Sequence, residues 1–219
     1  MNSEESNMGL NCKVKEWMMT IGRVMVCIAL ITCYLSLVTS CSDETEVVGE
    51  WDNWETRNNE TTDAWAANSS FRKIKTYTKD QTTLGKNSDY IYVQVLETGS
   101  GASTPLYTDT VRLAYRGRLI PTKSYADGYV FDQTYLGDFS WMTAAMVNFT
   151  TGTMVDGFAT ALMNMHAGDY WRVYIPYQLG YGTTSTDAIP GYSNLVFDIA
   201  LLDTWHPGES RPAFRARQK

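Results

Sequence analysis

The stretch from Val155 to Asp203 constrains the fold most, because one helix repeat, two strand repeats and the turns that join them fall within a single span. Phe158, Leu162 and Met165 recur at helical spacing, and Gly168 stands just past the last turn, where a left-handed residue ends a helix. This predicts a short amphipathic helix over Val155 to His166 with one face to bury. Trp171, Val173 and Ile175 then alternate with Arg172 and Tyr174. Later Leu195, Phe197, Ile199 and Leu201 alternate with Val196, Asp198, Ala200 and Leu202, again with the period of a strand. Between them lie a tight loop carrying Tyr181-Gly182 and the turn Ile189-Pro190-Gly191. One short helix is therefore expected to sit against antiparallel strands.

Upstream, Ile91, Val93 and Val95 alternate with Tyr92, Gln94 and Leu96 until Gly99-Ser100-Gly101 breaks the pattern. From Val111 the alternation is sharper. Val111, Leu113, Tyr115, Gly117 and Leu119 share one face, and Arg112, Ala114, Arg116 and Arg118 the other, so the arginines read as a solvated outer face. Asp127-Gly128 marks a turn before Val130-Phe131-Asp132 opens the next element. The expected architecture is α+β, an antiparallel half-barrel sheet of about five or six strands wrapped around one short helix, from residue 87 to residue 205.

Ahead of this domain, Val24 to Val38 is an apolar run preceded by Lys13, Lys15 and Arg23. It is too short to span a bilayer comfortably and suits the core of a signal peptide. It ends in Val38-Thr39-Ser40-Cys41, which resembles a bacterial lipobox, implying residues 1–40 as a lipoprotein signal peptide and Cys41 as a lipidated first residue. A core helix or a transmembrane anchor is the alternative, against which the acidic Ser42-Asp43-Glu44 argues, since an anchor is usually flanked by basic residues. The long leading segment leaves Met18 or Met19 as further candidate starts. All four cysteines, Cys12, Cys27, Cys33 and Cys41, lie at or before the cleavage point, so no disulfide framework is expected. The balance is acidic, with a net charge of −6, which argues against nucleic acid as a partner.

Residues 41–50 carry Cys41 and an acidic tether, which also resembles a surface-export signal of some Gram-negative bacteria. In residues 51–86, Trp51, Trp54 and Trp65 stand among polar residues, with Ala64, Ala66 and Ala67 favouring helix. A short helix that packs on the barrel fits this composition, and a dimerising helix is the alternative. Residues 206–219, with Pro207, Gly208 and Pro212, read as a flexible basic tail.

The order Gly157-Phe158, Met165 to Asp169, Ile175 to Gly182, Ile189-Pro190 and Leu195 to Leu202 strongly resembles the FKBP-type peptidyl-prolyl cis-trans isomerases, here in a bacterial lipoprotein form. That resemblance implies a half-barrel of the FKBP kind and isomerisation of X-Pro bonds in proline-containing polypeptides, with no cofactor and no metal. It places Phe158 at the pocket floor, where many relatives have Trp, and Tyr115, Phe131, Val155 and Phe197 in the walls. Ile189 and Tyr181 would stand on the loops above, while Met154 and Val147 align less securely. The Val155 N–H and the Tyr181 hydroxyl would hold carbonyls of the bound peptide, and Asp132 would orient Tyr115 or polarise the site. Taken singly, each aromatic reads as core, Asp132 as a turn or capping residue and Tyr181 as a surface tyrosine.

The loop from Gln133 to Val147 departs from the family in being longer, and it lacks the basic residue often found after the Phe-Asp pair. Its Tyr135, Phe139, Trp141, Met142 and Met146 would pack on their own domain or line a rim of the pocket. The resemblance further implies a macrolide as a possible inhibitor and attachment to the membrane through lipid on Cys41. The expected location is the bacterial cell envelope, at the outer membrane and facing either the periplasm or the surface. A non-catalytic FKBP-like module that binds a peptide or protein partner is the alternative function.

Overall fold

The central element is a long antiparallel pair, β3 (Thr110–Leu119) and β7 (Leu195–Trp205), in register from Thr110 opposite Trp205 to Leu119 opposite Leu195, with one bulge between Arg112 and Leu113. The computed structural model describes residues 49–211 and residue 213. The chain divides at Val48/Gly49, and the unit from Gly49 onward is the one described. The signal peptide, Cys41 and most of the acidic tether lie outside the described residues, as does the end of the tail.

The other strands are β1 (Arg72–Lys75), β2 (Tyr90–Glu97), β4 (Val130–Gln133), β5 (Val147–Thr150) and β6 (Tyr170–Ile175). They assemble in the order β1-β2-β6-β7-β3-β4, with β5 also pairing β3, and every pairing is antiparallel. The sheet thus has seven strands. Alternation does not reveal β1, β4 or β5, and β1, Arg-Lys-Ile-Lys, holds one apolar residue because it forms a charged edge.

Among the described residues, two α-helices accompany the sheet: α1 (Trp54–Ala67) and α2 (Asp156–Leu162). Helix α2 presses Phe158, Ala161 and Leu162 onto the face formed by Val93, Leu113, Val173, Ile175, Leu195 and Ile199, all but fully buried. It comes close because of Gly157, where a Cβ would stand 2.3 Å from the Ile175 side chain. The helix ends at Leu162, short of the expected His166. Asn164 and Met165 turn the chain instead, Gly168 takes a φ of 92°, and Asp169 accepts from the His166 N–H at 2.7 Å.

The opposite face is not solvated, which corrects the reading of the arginines. Arg112 is 2% exposed and pairs with Asp203 at 3.0 Å, while Asp198, also 2% exposed, receives Arg118 at 2.8 Å and Arg172 at 2.6 Å. The cover is the long loop after β4. Tyr135 and Ala144 pack on Ala114, and Trp141 packs on Ala200 and Leu202, with Phe139 and Met146 between them. The aromatics of this loop therefore lie on their own sheet and supply no rim to the pocket.

Helix α1 covers the same face nearer β2 and β6, where Trp65 meets the rings of Tyr92 and Tyr174. Its buried residues are Trp54, Asn58, Thr62 and Trp65, a single stripe of which half is polar. Asn194, fully buried, satisfies that stripe. Its N–H donates to Asn58 Oδ1 at 2.8 Å, and its Nδ2 donates to the Asn58 carbonyl at 2.6 Å and to Thr62 Oγ1 at 3.0 Å. Past β7, the expected flexible tail begins with a fixed residue, since His206 Nδ1 lies 2.6 Å from the buried Asp109.

A candidate isomerase pocket

Gly117 makes room for the pocket. A Cβ there would come within 2.6 Å of the rings of Phe131 and Phe197, so only glycine lets both aromatics close over β3. The resulting cavity, about 280 Å³, opens between α2, the sheet and the loop after β6. Phe158, 3% exposed, is its floor. Phe158 and Phe197 meet edge to face at 5.0 Å, Phe131 and Phe197 at 5.5 Å, and Tyr115 stands edge-on to Phe158 at 6.2 Å. Such T-shaped contacts suit the ring quadrupoles and fix the cluster as a rigid, dry wall.

Polar groups enter from three sides. The Tyr115 hydroxyl donates to Asp132 Oδ2 across the β3–β4 pair. Burial, and then the adjacent carboxylate, push the Tyr115 phenol well above its usual value, so it remains a protonated donor. Tyr181, 42% exposed, stands at the mouth on a turn held by Gly182, whose φ is 64° and whose N–H donates to the Tyr177 carbonyl at 2.8 Å. Its hydroxyl has no partner among the described residues. Neither has the N–H of Val155, which precedes α2 and lines the cavity, so both are open to a ligand.

The cavity brings together Tyr115, Phe131, Asp132, Val155, Phe158, Tyr181 and Phe197, along with Met154. It does not include Ile189 or Val147. Ile189 is 5% exposed and faces a neighbouring groove, because the side chain of a residue in a turn has no strand phase to aim it. Val147 belongs to β5 and packs against the core. Phe149 and Thr153 line the cavity as well. Phe149 could have been found from its place in β5 opposite Val111, two residues from Tyr115's face partner Leu113, but Thr153 carries no signal.

Among the described residues, no three His, Cys, Asp or Glu side chains gather where they could share a metal ion. The chemistry available is an aromatic cavity of about 280 Å³ with hydrogen-bond donors at its rim.

Residues 101–202 match the family model of the FKBP-type peptidyl-prolyl cis-trans isomerases. This domain belongs to the FKBP family. The FKBP domain is 36% identical over 121 residues to the macrophage infectivity potentiator of Trypanosoma cruzi, an alignment covering 55% of this chain and 56% of that protein. It is also 36% identical over 111 residues to an FKBP-type 22 kDa peptidyl-prolyl cis-trans isomerase of Escherichia coli K12, covering 50% of this chain and 48% of that one. The chain thus spans about half the length of the curated relatives it matches. Among solved structures, a peptidyl-prolyl cis-trans isomerase of Pseudomonas syringae superposes with a TM-score of 0.53 at 23% identity, over 71% of this chain and 96% of that one, and shares the fold.

Proposed function

We propose that this protein is a peptidyl-prolyl cis-trans isomerase acting on X-Pro bonds of exported or envelope polypeptides. The observation that carries this reading is the meeting of an aromatic cage on Phe158 and Phe197 with two unpartnered donors, the Val155 N–H and the Tyr181 hydroxyl. Rotation about an X-Pro bond crosses about 18–20 kcal/mol because it breaks amide resonance. The planar amide is the more polar form, so a dry cavity disfavours it relative to the twisted one, and donors at the rim grip the rotating carbonyl. No nucleophile or proton transfer is needed. A ten-thousandfold acceleration asks for about 5.5 kcal/mol, within reach of desolvation plus one or two hydrogen bonds.

The full chain in detergent is expected to speed cis-to-trans relaxation of X-Pro peptides, and a pipecolyl macrolide of the kind FKBP proteins bind should compete. A folded protein that does neither with a panel of residues before proline would shift the reading to a non-catalytic peptide-binding module. That second reading has one observation in its favour, the Phe158 floor where many relatives carry Trp.

The envelope assignment rests on the leading segment, whose lipobox resemblance supports lipid on Cys41 and a tether to the outer membrane. Labelling with a fatty-acid analogue should mark the wild type and miss Cys41→Ser. Equal labelling of both would reject the anchor.

A further inference from the structure

A second concavity of about 340 Å³ lies beside the isomerase pocket, between Trp51, Tyr125 and Tyr129 on one side and the turn Thr186 to Pro190 on the other. We propose that it is a subsite for the same polypeptide whose proline occupies the pocket, taking an apolar or aromatic side chain a few residues away from that proline. The proposal rests on the isomerase reading only for the placement of the proline.

Continuity is the first argument. Tyr129 lines the groove, and Phe131 and Asp132 line the pocket. Two residues of extended chain span roughly 6.6 Å. The loop after β6 repeats the connection, with Tyr181 in the pocket and residues 186–190 in the groove. A polypeptide held by the pocket meets the groove within roughly two to four residues at about 3.3 Å each.

The walls are built, not incidental. Trp51 meets Trp54 edge to face at 4.9 Å, and Trp54 Nε1 donates to Ser193 Oγ at 2.8 Å, which donates to the Pro190 carbonyl at 2.6 Å. Trp54, the first residue of α1, thereby braces both Trp51 and the turn at Pro190. Tyr125 and Tyr129 pack edge to face at 5.1 Å, and the turn is closed by Thr186 N–H on the Ile189 carbonyl at 2.8 Å. Yet Trp51 stays 39% exposed and Tyr125 43% exposed, so rigid aromatic area is presented to solvent. Such rings offer contact at little cost in conformational entropy.

Charge gives the remaining preference. Asp187 lines the groove and its carboxylate has no ion pair or hydrogen bond among the described residues. The occupant is therefore an apolar or aromatic side chain next to a basic one.

The test compares a short X-Pro peptide, ending one residue past the proline, with longer peptides that add Phe-Lys a few residues before or after the same core. With the full chain, one of the longer peptides should show kcat/KM roughly tenfold above the short one. Trp51→Ala and Tyr125→Ala should each lower that ratio several-fold through KM, and Trp51→Phe should restore it. A wild type with no preference for either longer peptide, or a ratio that neither variant changes, overturns the subsite. If even the short peptide is not isomerised, the catalytic reading falls by itself, and fluorescence anisotropy of the labelled longer peptides then decides the groove. Weaker binding by Trp51→Ala sustains it, and equal binding overturns it.

Discussion

Tyr115 shows how a single residue in this pocket combines two roles. Its ring packs on Phe158 and Phe197, and its hydroxyl, engaged by Asp132, is kept from ionising by burial first and the carboxylate second. Because the shift is upward from 10.0, the phenol does not titrate in the working range, and this group imposes no change on kcat/KM between about pH 6 and 9. Tyr181 is the simpler test of carbonyl capture. Tyr181→Phe keeps the ring and removes the free hydroxyl, so it should cost about 0.5–1.5 kcal/mol, up to roughly tenfold in rate, with melting unchanged. Phe158→Ala removes the floor and should also lower stability by about 3–5 kcal/mol, so circular dichroism must accompany the rate. Periodicity marks Tyr115, Phe131, Phe158 and Phe197 only as inward-facing; it is the family resemblance that groups them as a pocket, and all four line one cavity. Ile189 sits in a turn and lines the neighbouring groove, and Thr153 ends a short 3-10 turn where no periodicity aims a side chain.

Elements were legible to the extent that one face decided them. Alternation located β2, β3, β6 and β7, but a polar phase says only which residues share a face and not what covers it. Arg112, Arg116 and Arg118 therefore read as solvated, although on the face that the aromatic loop after β4 covers Arg112 pairs with Asp203 and Arg118 meets Asp198 alongside Arg172. Asp198 is central to this layer. Burying an ion pair returns little net stability, but removing one partner leaves its charges uncompensated, so Asp198→Ala should cost about 3–5 kcal/mol. Chemical denaturation would measure it, and a loss below about 1 kcal/mol would mean that the arginines reach solvent. Helix α1 is expected from its composition as a helix packing on the barrel, but hydrophobic spacing does not mark its contact face, because Asn58 and Thr62 occupy half of its buried stripe. Asn58→Ala should cost about 1–3 kcal/mol for the buried Asn194 backbone N–H left without its Oδ1 acceptor.

At the scale of the whole domain, the two ends of the long β3–β7 pair are held differently, and the difference predicts a pH dependence. The end near Leu119 and Leu195 is tied to α1 through Asn194, whose bonds do not titrate. At the other end, β7 leaves the sheet at Trp205, and His206 returns to the loop before β3 by its contact with Asp109 Oδ1. Asp109 also accepts from the Leu106 N–H at 2.8 Å, and Glu209 accepts from the His206 backbone N–H at 2.8 Å, so two carboxylates lie near His206 and their charge favours the protonated imidazole. The hydrogen bond to Asp109, then its charge, raise the His206 pKa above 6.5. A group whose pKa is raised by folding contributes stability that is complete below its unfolded value and disappears as pH rises through its folded value. The wild type should accordingly melt above His206→Ala at about pH 5 to 6, below the unfolded value, and the gap should close as pH rises through the raised folded value. Differential scanning calorimetry across that range measures the gap, which will be modest because the imidazole is half exposed. A gap that stays constant with pH would show that His206 holds the end of β7 by packing and not by charge.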